Sequence, residues 1–286
     1  MARIDSHVHF WQFQPERDAW ITDDMRALRH NFLPPDLEPL LDQHQLDGCV
    51  AVQADQSEAE TIFLLYHATK HNFIKGVVGW VDLQAPDVAR RLERYAQFPE
   101  LIGFRHILQS EADQALMLTP AFNRGLAALF AHGFTYDLLI QPGQLAYATE
   151  LVKRFPEQPF IIDHLAKPYI KAGALEPWCQ QLQALAAHQN VFCKVSGLVT
   201  EADWHHWQPA DFRPYLDAAF EAFGPQRLLF GSDWPVCTVA GGYRRALSLL
   251  ENYLTEFSSA EQAGFWGDNA AQFYRLQHQL ADGFTA

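Results

Sequence analysis

The sequence predicts an α/β protein, a (β/α)8 barrel of the TIM type, built as one domain over residues 1–286. Three observations lead there. Eight short apolar runs alternate with segments of helical spacing, and eight parallel strands is the number that closes such a barrel. A chain of 286 residues, 49% of them hydrophobic, has ample apolar material for one large core. The rival, an open doubly wound sheet, lacks its marker, because no G-x-G-x-x-G follows the first strand.

The strand-like runs come in order at residues 3–10 (RIDSHVHF), 48–54 (GCVAVQA), 75–83 (KGVVGWVDL) and 102–108 (IGFRHIL). Four more follow at 134–140 (FTYDLLI), 159–165 (PFIIDHL), 191–197 (VFCKVSG) and 228–234 (LLFGSDW). Most are rich in β-branched or aromatic residues and end in Gly, Pro or polar turns. Helical spacing fills the gaps. PDLEPLLDQHQL opens on prolines and an aspartate and repeats leucine at 37, 40 and 41, while PDVARRLERYAQF puts Val88, Leu92 and Tyr95 on one side. QLAYATELVKRF and PYLDAAFEAFG behave alike, and Gly224 at the end of the latter suits a C-cap. No Ser/Gly linker, low-complexity tract or internal repeat interrupts the pattern.

Charge and cysteine usage exclude several functions. The net charge is −13 and no basic run exceeds two residues, which argues against nucleic acid or an anionic membrane as partner. Cys49, Cys179, Cys193 and Cys237 are widely spaced, and two of them sit in apolar runs, so reduced thiols are expected. The N-terminal MARIDSHVHFW lacks the apolar core of a signal peptide, and no stretch is long enough to span a bilayer. A cytoplasmic protein is expected.

Barrel chemistry gathers where the strands end. The final residues of the runs are His7 and His9, Gln53, Asp82, Arg105 and His106, Tyr136 and Asp137, Asp163 and His164, Lys194 and Ser196, and Ser232 and Asp233. Imidazoles, carboxylates and cations at nearly every rim position mark an active site. Period-two alternation places Asp5, His7 and His9 on one face of the first strand. H-x-H alone is a weak signal, open to a metal site, a metal-free pair or incidental histidines. His164 closes a run after two isoleucines, where an unsatisfied imidazole is costly, and Asp233 closes the last run, beside the first strand in a closed barrel. Three histidines and an aspartate on one rim are ligand types suited to zinc.

H-x-H on the first strand, a histidine after a middle strand and GSDWP at the last resemble the amidohydrolase superfamily. Taken together, DSHVHFW, IGFRH, IDHLAKP, CKVSGL and LLFGSDWPV resemble its sugar-lactonase branch, over residue 3 to about 275. That branch includes L-fuconolactonases, L-rhamnonolactonases and the pyrone-dicarboxylate lactonase. The resemblance implies a distorted barrel with its site at the C-terminal rim. It matches His7, His9 and His164 to the site histidines, Asp233 to the aspartate that activates water, and Arg105 to an arginine that contacts substrate. It departs from binuclear members: the fourth run offers Arg105-His106, and the fifth, YDLLIQPG, has no histidine. The resemblance therefore implies a lactonase that requires no metal, the alternative being one zinc or manganese on His7, His9, His164 and Asp233.

A strained lactone carbonyl is more electrophilic than an amide, so an arginine and imidazole donors can stabilise its oxyanion, each well-placed donor contributing a few kcal/mol. Asp233 then serves as general base. The loop at 10–37 carries Trp11, Phe13 and Trp20, with Trp11 a candidate to stack on a sugar ring. Gln53, Tyr136, Lys167 and Lys194 are candidate hydroxyl or carbonyl contacts, and DWHHW at 203–207 reads as a lid or an interface. One strand-end arginine is too few for a dicarboxylate, which favours a neutral polyhydroxylated lactone. L-fuconolactone or a rhamnono- or galactonolactone is the expected small-molecule partner. A metal-dependent decarboxylase and a non-catalytic sugar-binding barrel are the competing readings.

Overall fold

The computed structural model describes residues 2–276. Eight strands follow one another around a single parallel sheet: β1 (Ile4–Val8), β2 (Gly48–Val52), β3 (Ile74–Gly79), β4 (Leu101–His106), β5 (Thr135–Leu138), β6 (Phe160–Ile162), β7 (Val191–Val195) and β8 (Leu228–Phe230). All eight predicted runs are present, each strand ending two to four residues before its run does. The outer helices are α1 (Pro34–Gln43), α2 (Glu58–Ala68), α3 (Val88–Tyr95), α4 (Pro120–Ala131), α5 (Leu145–Arg154), α6 (Trp178–Ala186), α7 (Pro209–Phe223) and α8 (Tyr243–Leu254), followed by α9 (Ser259–Ala263) and α10 (Asn269–Phe273). Gly224 ends α7 at φ 68°, as a C-terminal glycine should. No helix among the described residues is long and apolar enough to cross a membrane.

The barrel is a distorted one. β6 and β8 are three residues long, and the register slips between β1 and β2, β2 and β3, and β3 and β4. It closes at its rim: Val8 bridges Trp234, Asp233 N–H donates to the His7 carbonyl at 2.9 Å, and His9 N–H donates to the Trp234 carbonyl at 2.7 Å.

The slip in β1 corrects one expectation. Asp5 pairs with Cys49 and Val8 with Ala51, so β1 spends three steps where β2 spends two. This bulge breaks the alternation, and Asp5 turns toward the helices, where it accepts from Tyr243 Oη at 2.8 Å and from Ser232 N–H at 2.9 Å. His7 and His9 face inward without it.

Inside the barrel the layers differ in chemistry. The lower layer is apolar, with Ile4, Val50, Val52, Val78, Ile161 and Leu229 packed on Phe273 and Tyr274 at the end of α10. Above it lies a buried charged layer of Arg105, Asp137, Asp163 and Lys194, with the buried His7 against it. The cavity opens above that.

Candidate active site

β1 and β8 bring His7, His9 and Asp233 together across the closing seam. His9 Nε2 stands 3.4 Å from Asp233 Oδ1, His164 Nε2 3.9 Å and His7 Nε2 4.0 Å. Each ring is oriented from behind. His9 Nδ1 donates to the Val52 carbonyl at 2.7 Å, which turns its Nε2 toward Asp233. His164 Nδ1 is 2.8 Å from Ser196 Oγ. His7 Nδ1 meets the charged layer, 3.3 Å from Asp163 Oδ1 and 3.1 Å from Lys194 Nζ.

His164 is delivered by an unusual backbone. His164, Leu165, Ala166 and Lys167 have φ of 54, 53, 55 and 54°, four consecutive non-glycine residues in the left-handed region. Left-handed turns cost L-residues about 1–2 kcal/mol each, so about 4–8 kcal/mol is met by the surroundings. Leu165 and Ala166 are buried, Trp178 Nε1 donates to the Leu165 carbonyl at 2.7 Å, and Lys167 N–H closes the turn on the His164 carbonyl at 2.8 Å. Gly197 (φ 61°) leaves the room His164 needs, since a Cβ there would stand 2.6 Å from His164 Nδ1.

Burial pushes the His164 imidazole down to about 4, so it is neutral with a lone pair at neutral pH. Burial, with Lys194 adding to it, likewise pushes the His7 imidazole well below its ordinary value. Burial also pushes the Asp233 carboxyl up, but His164, His9 and His7 outweigh that and hold it well below the usual carboxylate range. Asp163 is likewise held low, because Lys194, His7 and Arg105 together overcome its burial.

The donor set fits a divalent cation. His7, His164 and Asp233 each offer one ligand atom, all within 4.8 Å of one another. In addition, the His7 and His9 Nε2 atoms lie 3.2 Å apart beside an ionised carboxylate. Imidazole nitrogens beside a carboxylate are donor types that suit zinc. Among the described residues no second group of this kind occurs, in line with the missing histidine on β5, where Asp137 pairs instead with Lys194 Nζ at 2.6 Å. The residues present thus fit the single cation that the sequence reading allowed.

Other sequence candidates divide by depth. Arg105 reaches the cavity floor, with Nη1 on Asp163 Oδ2 at 2.9 Å and on His7 Nε2 at 3.2 Å, and Nη2 on the Gln53 carbonyl. Gln53 is fully buried and does not line the cavity; its Nε2 donates to the Arg105 carbonyl at 3.1 Å, so it orients Arg105. Lys194, also fully buried, is locked between Asp137 and Asp163 (3.0 Å) beneath the site. Tyr136 departs from expectation most plainly. It is in register with Phe104, one residue out of phase with the inward Arg105–Asp137 pair, and packs on Phe122 and Phe160 behind the sheet. Trp11 is buried and does not line the cavity either: it pairs with Phe32 through two 2.9 Å backbone bonds and packs edge-on against Trp20 and Phe32. Trp20, from the same loop, lines the cavity instead.

The cavity measures about 450 Å³. Arg17, Arg105 and Lys167 are its cationic side chains, and each already has a carboxylate partner. Arg17 grips Asp18 with two 2.8 Å bonds, Arg105 holds Asp163, and Lys167 Nζ lies 3.1 Å from Glu201 Oε1. Trp204, from the 203–207 cluster, forms part of the wall, its Nε1 tied to the Thr200 carbonyl at 2.8 Å, whereas Trp207 is buried. Glu201 escaped the sequence reading because it lies in a 3-10 turn (Val199–Glu201) beyond β7, with no periodic pattern to flag it.

Known proteins match this chain along nearly its whole length. The amidohydrolase family model covers residues 4–276. The chain belongs to the amidohydrolase family. An L-fucono-1,5-lactonase of Burkholderia multivorans is 42% identical to this amidohydrolase over 285 residues, 96% of each chain. An L-fucono-1,5-lactonase of Burkholderia ambifaria is 37% identical, over 98% of each. The crystal structure of an amidohydrolase from Burkholderia multivorans with bound zinc superposes with a TM-score of 0.93 at 42% identity, covering 96% of this chain and 99% of that one.

Proposed function

We propose that this amidohydrolase opens a neutral sugar lactone, L-fucono-1,5-lactone or a stereochemical relative, to the open-chain sugar acid. One observation carries the reading: an ionised Asp233, ringed by three imidazoles, faces a cavity whose cations are all neutralised by carboxylates. A neutral polyol fits that charge balance. An anionic substrate, as a decarboxylase or dicarboxylate lactonase requires, finds no uncommitted cation among the described cavity residues. The two lactonase relatives support the same substrate class.

Asp233 takes a proton from water as its oxygen adds to the lactone carbonyl. Arg105, held rigid by Asp163 and Gln53, directs positive charge at the developing oxyanion. The ring C–O bond then breaks, and Asp233 returns the proton to the departing oxygen. The acid so formed ionises, releasing a proton to solvent, and no uncommitted cavity cation retains the carboxylate. His7, His164 and Asp233 would hold a divalent ion, which when bound supplies Lewis-acid polarisation and a more acidic water. Four unpaired thiols support a reducing cytoplasm as the working compartment.

A pH-indicator assay across a panel of sugar lactones, with and without chelator and alongside metal analysis, tests the proposal. Acid release from at least one aldonolactone is expected. Saturable binding without acid release points to a sugar-binding barrel, and no response to any lactone overturns the reading.

A further inference from the structure

The left-handed turn delivers more than His164. Its i and i+3 residues, His164 and Lys167, come to one side, and both line the cavity. The Lys167 ammonium is steadied there by Glu201, which arrives from the turn after β7. The pair is only partly shielded, with side chains 19% and 25% exposed, and it sits beside Trp204 and Thr200 on the same wall. A pair meant only to brace the barrel would be placed where Lys194 and Asp137 are, out of solvent reach. Here a strained backbone is maintained to hold an ammonium in the same volume as the reacting groups.

Lys167 has N–H donors beyond the one aimed at Glu201, and Glu201 Oε2 accepts no hydrogen bond from the described residues. Side by side, they present a donor and an acceptor about one hydrogen bond apart. Two neighbouring hydroxyls on a ring have the same spacing and can serve as acceptor to one and donor to the other. We propose that Lys167 and Glu201 act together as the specificity determinant of this enzyme, reading a vicinal diol on the lactone ring, with Trp204 as the adjoining ring wall. This rests on the lactonase reading above and adds which substrate feature is recognised and by which residues.

The test compares kcat/KM for a polyhydroxylated six-membered sugar lactone with that for unsubstituted δ-valerolactone, in the wild type, Lys167→Met, Glu201→Gln and the double variant. The wild type should favour the sugar lactone, and each single variant should reduce that preference by about 10–100-fold, mainly through KM. The double variant should be little worse than either single one, since the two act as a unit. Lys167→Arg should retain more of the preference than Lys167→Met. An unchanged ratio, or equal losses on both lactones, overturns the inference while leaving the lactonase reading in place. Should Lys167→Met fail to fold by thermal melting, Glu201→Gln carries the same comparison. A wild-type protein that neither hydrolyses nor binds any of these overturns the lactonase reading and the inference together.

Discussion

Asp233 donates its backbone N–H to the His7 carbonyl at 2.9 Å, so the carboxylate and the imidazole face one another across the seam that closes the barrel. Barrel closure and site assembly are therefore one event: the same two strand ends that complete the sheet set the 4.0 Å separation of His7 Nε2 from Asp233 Oδ1. The Asp233 side chain is not needed for that backbone bond. Asp233→Asn should keep the fold, with a melting temperature close to wild type, and lower kcat on a sugar lactone by about 10³-fold or more, as expected when the only general base is lost. Turnover near the wild-type value would remove Asp233 from the proton-transfer role.

Lys194 is the keystone of the buried charged layer. Its ammonium lies 2.6 Å from Asp137 Oδ2, 3.0 Å from Asp163 Oδ1 and 3.1 Å from His7 Nδ1, with Tyr274 Oη on Asp137 Oδ2 at 2.9 Å. Lys194→Met leaves two dry carboxylates without their shared cation and should destabilise the protein by about 3–5 kcal/mol. Lys194→Met combined with Asp137→Asn should recover part of that loss. Urea unfolding of the three proteins checks both statements, and a loss below about 1 kcal/mol in the single variant would mean the layer is not charged as described.

The sequence carried the barrel because each strand is a compact β-branched run, and it carried His7, His9, Arg105, His164 and Asp233 because each ends one. What it hid follows from registers and backbone geometry. Asp5 lost its predicted face to a bulge that no residue type announces. Tyr136 and Asp137 are adjacent rim candidates, and only the pairing with Phe104 and Arg105 decides which of them faces inward. Gln53 and Lys194 do stand on the inner side, but one layer below the cavity, and depth along a strand has no sequence signature. Lys167 was visible as a residue, whereas Glu201 became its partner only through a turn and a loop folded over the rim.

Gly197 separates packing from catalysis. A Cβ there would meet His164 Nδ1 at 2.6 Å and Asp233 Oδ2 at 3.2 Å, on a backbone at φ 61°. Gly197→Ala should therefore displace the His164 ring. Displacements on the scale of an ångström in a reacting constellation lower turnover by about 100-fold, so kcat should fall by roughly that factor. Zinc affinity, followed by competition with a chromophoric chelator, should weaken in parallel because His164 belongs to the candidate ligand set. Zinc affinity and kcat both near wild type would show that the Cβ is accommodated without moving His164 or Asp233.

Glu60 gives the fold a pH response that starts outside the charged layer. It lies on α2, accepts the Ala54 N–H at 2.7 Å, and is pushed up to about 7 by burial, with Asp55 nearby adding to the effect. A carboxyl raised in the folded state binds its proton more tightly there than in the unfolded chain. Its contribution to stability is thus fully present below the ordinary value near 4.5 and is lost as pH rises through about 7. The size of that loss is on the order of 3 kcal/mol from the width of the window. Asp5, raised to about 6, changes stability in the same direction, so the wild-type curve alone does not isolate Glu60. Glu60→Gln keeps an oxygen for the Ala54 N–H and has no proton to lose. Unfolding free energies measured from pH 5 to pH 8 should fall more steeply for wild type than for Glu60→Gln, with the two curves converging at the acid end. Parallel curves would show that Glu60 titrates normally and that its burial is relieved by solvent.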